Sequence, residues 1–357
     1  MFWPGVQALI IRTWRQYMKV VDMHCDTVLV LYKNQQEKRA GNLLRNDSHI
    51  DLEKMQKGNY FLQNFAMFVD LKMDIEPYYH CMKLIDIICE DITKHSSMIQ
   101  LVKSYDEMMT NWKEDMMSAM LTVEEGGVIE GSIDKLKELF CRGVRMMTLT
   151  WNYPNEIGYP NCISSQGTSM TYGDGNQVNG LTDFGFEVVS TMEELGMIID
   201  VSHLSDAGFY DVLTNTKKPF VASHSNARAL CPHVRNMTDD MIRKLSNRGG
   251  VLGLNFEPSF LLKINGSKDE NFIDSKIVTN QGSMKAMVAQ VKHIINVGGI
   301  ECLGLGSDFD GIDTPDEMRD ASYLPRFAEE LEAAGLTFSQ IEAIFHKNVL
   351  RLYRDSL

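Results

Sequence analysis

Eight short apolar runs, most of them followed by a helix-like segment, constrain this chain more than any other feature. They fall at 19–23, 61–69, 119–123, 144–150, 197–201, 219–222, 251–256 and 302–306. Most read as continuous apolar stretches, the pattern of strands buried on both faces. Strands alternating with helices give a parallel sheet, and eight of them suggest closure into a (β/α)8 TIM-type barrel. The rival is an open doubly wound sheet, but no glycine-rich fingerprint follows the first run. Helices are expected at 52–57, 78–95, 105–117, 133–141, 184–195, 239–245 and 284–296, with another starting at Ser205 and two closing the chain. Ser104 and Thr182 are N-cap candidates, Gly143 suits a left-handed C′ position, and Thr337 with Gln340 fits a capping box.

Composition narrows the partners. With 357 residues and a formal net charge of −13, the chain is a poor match for nucleic acid or an anionic membrane surface. No Pro- or Ser-rich linker divides it, so residues 18–357 read as one catalytic domain. Residues 1–17 carry an apolar run too short to span a bilayer, with arginines after it rather than before it. They are read as an N-terminal extension. Seven scattered cysteines with no CxxC pair are neither a disulfide framework nor a zinc ribbon. A reducing, cytoplasmic setting is expected, with no membrane association.

The chemistry gathers where the runs end. His24 and Asp26 follow the first run, Glu125 the third, His203 the fifth, His224 the sixth and Asp308 the eighth. In a strand alternate side chains share a face, so His24 and Asp26 point together and Cys25 points away. In a barrel these ends converge on one mouth. Three imidazoles and three carboxylates there would be costly without cations, and a pair of divalent metals removes that cost. Each residue alone has a plainer reading, as a hydrogen-bonded histidine, a turn carboxylate or an N-cap. Their coincidence at five strand ends is what favours ligation. Of the other histidines, only His233, in a loop just past His224, is placed to reach the mouth. The loop at 152–180 is long enough to be a binding loop or lid.

The set His24-x-Asp26, Glu125-Gly126-Gly127, Asp200-Val201-Ser202-His203, Ser223-His224-Ser225, Arg235-Asn236 and Gly306-Ser307-Asp308-Phe309-Asp310-Gly311 resembles the membrane (renal) dipeptidase family of the amidohydrolase superfamily. The resemblance runs from Met18 nearly to the C-terminus. It implies a (β/α)8 barrel with two Zn²⁺ per chain, one held by His24 and Asp26, the other by His203 and His224, with Glu125 bridging. It further implies a nucleophilic water or hydroxide between the metals, Asp308 as the proton-transferring residue, and Arg235 as the holder of a dipeptide substrate. Family precedent suggests a homodimer and tolerance for a D-residue at the substrate's C-terminus.

Two positions depart from the family pattern. Trp151 stands where the mammalian members carry a substrate-contacting histidine, and Glu257 ends an Asn-Phe-Tyr pattern as Asn255-Phe256-Glu257. Indole cannot accept a proton and offers one N–H donor. Trp151 therefore either donates to the substrate carbonyl or only lines the pocket. The departures leave open another amidase, N-acyl or lactam hydrolase on the same metals, or a barrel that binds peptide with little turnover.

Overall fold

The computed structural model describes residues 18–73, 76–261 and 283–357. The expected extension at 1–17 and most of the insertion expected up to about residue 282 lie outside the described residues. Among the described residues nine strands form, all paired in parallel: β1 (Val20–Asp22), β2 (Tyr60–Phe68), β3 (Ile99–Leu101), β4 (Met117–Glu124), β5 (Val144–Thr148), β6 (Ile198–Asp200), β7 (Val221–Ser225), β8 (Val251–Leu254) and β9 (Leu303–Leu305). β1 pairs with both β2 and β9, and β2 pairs with β4, so eight strands close into a barrel. The ninth, β3, was not anticipated. It pairs with Met117–Ala119 of β4, before β5 takes over at Leu121. Of its three residues only Ile99 is buried, so it leaves no apolar run in the sequence.

Apolar residues divide into two cores. Inside the barrel, Val21, Phe61, Met120, Met146, Ile198, Val221 and Val251 pack together. Outside, Leu121, Val123 and Val144 pack with helical residues such as Leu136, Leu139 and Val188. Met120 facing in while Leu121 and Val123 face out is the two-residue period of a strand.

The helices follow their local signals. Side chains of Ser104, Ser132, Thr182, Ser205 and Thr238 each accept from a backbone N–H in the first turn of the helix they precede. The capping box at Thr337 and Gln340 is present. The helix expected over 105–117 stops at Lys113, because the chain turns through Asp115 at φ 53° to enter β4. The helix Thr27–Glu37 gave no sequence signal: only Thr27, Val28 and Leu31 are buried, and Asp26 at its start forms no side-chain cap. Among the described residues no helix is long and apolar enough to cross a membrane.

The last helix, Asn348–Ser356, sends Val349, Leu352 and Tyr353 into the inner core, at the end where the strands begin. Tyr353 is fully buried, and its hydroxyl donates to Asn64 Oδ1 at 3.1 Å and accepts from Asn64 Nδ2 at 2.8 Å. Tyr353→Phe should cost about 1–3 kcal/mol by stranding a buried amide. Tyr353→Ala should cost about 3–5 kcal/mol through the added cavity. Urea unfolding midpoints of the two variants would check this order.

Candidate metal and catalytic site

The strand ends do converge. His24 and Asp26 follow β1, Glu124 ends β4, His203 follows β6, His224 lies on β7 and Asp308 follows β9. All six are buried, and their ligand-type atoms fall into three overlapping groups: His24, Asp26 and Glu124; Glu124, His203 and His224; His24, His224 and Asp308. Cys25 turns away as expected, its thiol against the Asn64 carbonyl.

One sequence expectation is corrected. Glu124, not Glu125, faces the other ligand-type side chains. Its Oε2 lies 3.5 Å from His24 Nε2, and its Oε1 lies 3.0 Å from His203 Nε2 and 3.5 Å from His224 Nε2. Met120, Thr122 and Glu124 share one face of β4, and Met120 belongs to the inner core. Glu125 therefore starts on the opposite parity and leaves the strand at φ 90°. Its carboxylate accepts from the amides of Gly127 at 2.7 Å and Trp151 at 3.0 Å and from Asn155 Nδ2 at 2.5 Å, bracing the start of the long loop. Counting back from Glu124 by twos through the run was the signal that would have found it.

The electrostatics of the cluster call for a cation. Burial works against charge on Glu124, but attraction from His24 and the close contacts of His203 and His224 outweigh it and hold the carboxyl well below its usual range. Burial also opposes charge on His24, yet Glu124 and Asp26 push its pKa well above normal. Burial, then the neighbouring Glu124, raises Asp26 to about 7. Burial, with Arg235 next, lowers His203 to about 4. The carboxylates thus favour positive charge at His24, the charge that a metal ion would supply there. The buried His24 Nε2 and Asp26 Oδ1 have no hydrogen-bond partner. Around His24 Nε2, oxygens of Glu124, Asp26 and Asp308 stand at 3.5, 3.6 and 3.8 Å. Ligands at opposite edges of a tetrahedral zinc shell are about 3.4 Å apart, so the donor set fits a divalent ion.

Further contacts orient the donors. His203 Nδ1 bonds Asn152 Oδ1 at 2.9 Å, and His224 Nδ1 bonds Ser223 Oγ at 2.8 Å, leaving both Nε2 atoms inward. Asn255 Nδ2 donates to Asp308 Oδ2 at 2.9 Å. Asn152 and Asn255 carried no ligand signal in the sequence, because their role exists only across strands. Burial and Glu124 raise the Asp308 pKa against the opposing pull of His24.

Above the cluster opens a cavity of about 620 Å³, whose lining includes Glu124, Trp151, His233, Arg235, Glu257 and Asp308. The long loop contributes to this wall with Tyr153, Cys162 and Met170, among others. Trp151 packs edge-on against Phe68 at 4.8 Å and Tyr153 at 5.4 Å, an aromatic wall. His233 does reach the cavity; burial, then Arg235, lowers its pKa to about 3, and its Nδ1 accepts from the Arg235 amide at 3.1 Å.

Gly311 lies against the cluster: a Cβ there would come 2.1 Å from Asp26 Oδ2 and 2.8 Å from Asp308 Oδ1. Gly311→Ala must therefore displace both carboxylates. Its affinity for a divalent ion, titrated calorimetrically into metal-free protein, is expected to fall about 10–100-fold.

Comparisons with known proteins place the chain in a family. The model of the membrane dipeptidase family, peptidase family M19, matches residues 11–356. An uncharacterised dipeptidase of Schizosaccharomyces pombe is 31% identical over 322 residues, 87% of this chain and 72% of that protein. A metallopeptidase from Rhodobacter sphaeroides, crystallised with a phosphinate mimic of the dipeptide L-Ala-D-Ala, has the same fold, with a TM-score of 0.82 at 22% identity over 95% of this chain and 99% of that one. A family M19 metallopeptidase, dipeptidase AC, gives 0.81 at 24% identity over 95% and 98%. The chain belongs to peptidase family M19, the membrane dipeptidases, and is a metal-dependent dipeptidase, a hydrolase of peptide bonds.

Proposed function

We propose that the protein is a binuclear zinc dipeptidase that cleaves small dipeptides and tolerates a D-residue at the C-terminal position. The observation that carries this reading is the division of Glu124: one oxygen is turned to His24, the other to His203 and His224. His24 and Asp26 would hold one ion, His203 and His224 the second, and Glu124 would bridge them. Imidazole and carboxylate donors suit zinc. Bound there, the ions would lower the pKa of a water they share and polarise the scissile carbonyl. The L-Ala-D-Ala mimic bound by the Rhodobacter sphaeroides protein supports the stereochemical part.

The chain's own groups supply positioning and proton transfer. Asp308 is buried, has a raised pKa and is held by Asn255 at the rim of the donor cluster. It accepts the proton of the attacking water and delivers it to the leaving amine. Arg235 is buried, lines the cavity and has no carboxylate partner among the described residues; its NH2 group donates only to the His224 carbonyl at 3.3 Å. It receives the substrate's terminal carboxylate, for which the guanidinium fork is well shaped. Trp151 acts as a wall, since its ring is held edge-on between Phe68 and Tyr153. All seven cysteines are free, which fits the cytoplasm.

Two measurements test the assignment. Metal analysis of freshly prepared protein should find about two zinc ions per chain, falling in Glu124→Gln but not in Glu125→Gln. The opposite pattern would return the bridging role to Glu125. Asp308→Asn should keep its metal and lose about 10²–10⁴-fold in kcat on dipeptides. Near-normal turnover in that variant would remove Asp308 from the mechanism.

A further inference from the structure

We infer that Glu257 makes the pocket selective for dipeptides whose C-terminal residue carries a positively charged side chain. The inference rests on the reading above, in which Arg235 takes the substrate carboxylate.

Glu257 follows β8, and its amide donates to Asn255 Oδ1 at 2.7 Å, which fixes the backbone where the side chain enters the cavity. Its carboxylate accepts from the Ser259 amide at 3.1 Å, and no cation pairs with it among the described residues. Burial comes first in raising its pKa, and the charged neighbours that add to this are carboxylates, Asp308 and Asp313. Lys72, which lines the same cavity, lies 3.7 Å over the Tyr153 ring. Lys33 also lines the cavity, and neither lysine forms an ion pair with Glu257, so among the described residues its carboxylate faces the substrate space without a paired cation. Arg235, 7% exposed, is a cation in the same space that feels Asp308, Glu124 and Asp200 at longer range but forms no direct ion pair among the described residues. A half-buried charge left unpaired is costly, and a ligand bearing both opposite charges relieves both.

Phe260 joins the two. The Arg235 guanidinium carbon lies 5.6 Å from the Phe260 ring centroid. Phe260 sits one turn beyond Glu257, its amide donating to the Glu257 carbonyl at 3.0 Å. A carboxylate held by Arg235 places its own Cα beside this ring. A side chain leaving that Cα can run its methylenes along the ring and set its charged end at Glu257, as lysine and arginine stems do on apolar surfaces. The substrate's α-ammonium, by contrast, lies across the scissile bond from the carboxylate, away from this corner.

The experiment compares kcat/KM for Ala-Lys, Ala-Ala and Ala-Glu, each with an L- or D-residue second, in metal-loaded wild type, Glu257→Gln and Glu257→Lys. In wild type the Ala-Lys to Ala-Ala ratio should exceed one by about tenfold, the range of a charge-assisted contact. It should fall towards one in Glu257→Gln. In Glu257→Lys the preference should pass to Ala-Glu. Metal content and melting temperature confirm that the variants are folded, and the wild-type ratio needs no variant at all. A wild-type ratio at or below one overturns the inference. So does an equal fall for all three substrates in Glu257→Gln, which would make Glu257 an α-ammonium contact or a structural residue. If wild type cleaves none of these dipeptides, the underlying substrate reading fails and this inference falls with it.

Discussion

Everything at the mouth of this barrel depends on one carboxylate shared between two sets of donors. Glu124 is buried, yet the imidazoles around it hold it ionised, and its two oxygens divide between His24 and the His203–His224 pair. The carboxylates around His24 raise its pKa and so favour positive charge at that position. Paired charges in a low-dielectric site are strongly destabilised when one member is removed. A metal ion bound there would relieve this electrostatic cost, and the barrel must hold the side chains in place for it.

That bracing comes from two further buried carboxylates that take no part in the cluster. Asp22 accepts from the Ser307 amide at 2.9 Å and the Ser307 hydroxyl at 2.6 Å, and its Oδ1 also meets the His24 amide at 3.3 Å. It ties the end of β1, which carries His24, to the end of β9, which carries Asp308. Asp200 does the same between β6 and β7: it accepts from the amides of Ser202 and Ser223, both at 2.9 Å, and from Thr148 Oγ1 at 2.7 Å. Each brace lies two or three residues before a histidine donor and reaches the residue just before a donor on the next strand. Backbone amides satisfy these carboxylates, so their burial is tolerated where an unpaired one would not be.

The barrel was legible because strands buried on both faces leave long apolar runs, and every member of the cluster but one was legible because it ends such a run. Glu125 was misread for a definable reason. A Glu-Gly-Gly motif points to the glutamate nearest the glycines, whereas strand parity decides which of two adjacent glutamates faces inward; Met120 and Thr122 settle it for Glu124. β3 and the helix Thr27–Glu37 were missed because each is held by packing rather than by its own pattern, the first by β4 and the second by three buried residues. Asn152, Asn255 and the braces at Asp22 and Asp200 have partners on other strands, 23 to 285 residues away, and local spacing carries no trace of such pairs.

Backbone strain marks the same place. Among the non-glycine residues at positive φ, Glu125, His203, Asp308 and Asp310 all lie just beyond strand ends at the mouth, at 90°, 68°, 63° and 70°. Such conformations cost of order 1–3 kcal/mol each and persist only where surrounding contacts enforce them. Here the contacts are identifiable. Glu125 is held by three donors, His203 by Asn152, Asp308 by Asn255, and Asp310 by Thr27 Oγ1 and the His49 amide, both at 2.6 Å. The strain turns the backbone sharply out of each strand; at His203 and Asp308 this accompanies side chains that join the cluster, and at Glu125 and Asp310 side chains that brace the loops beside it. Residues that look like departures from good local structure thus sit where five strand ends present their side chains to a common centre.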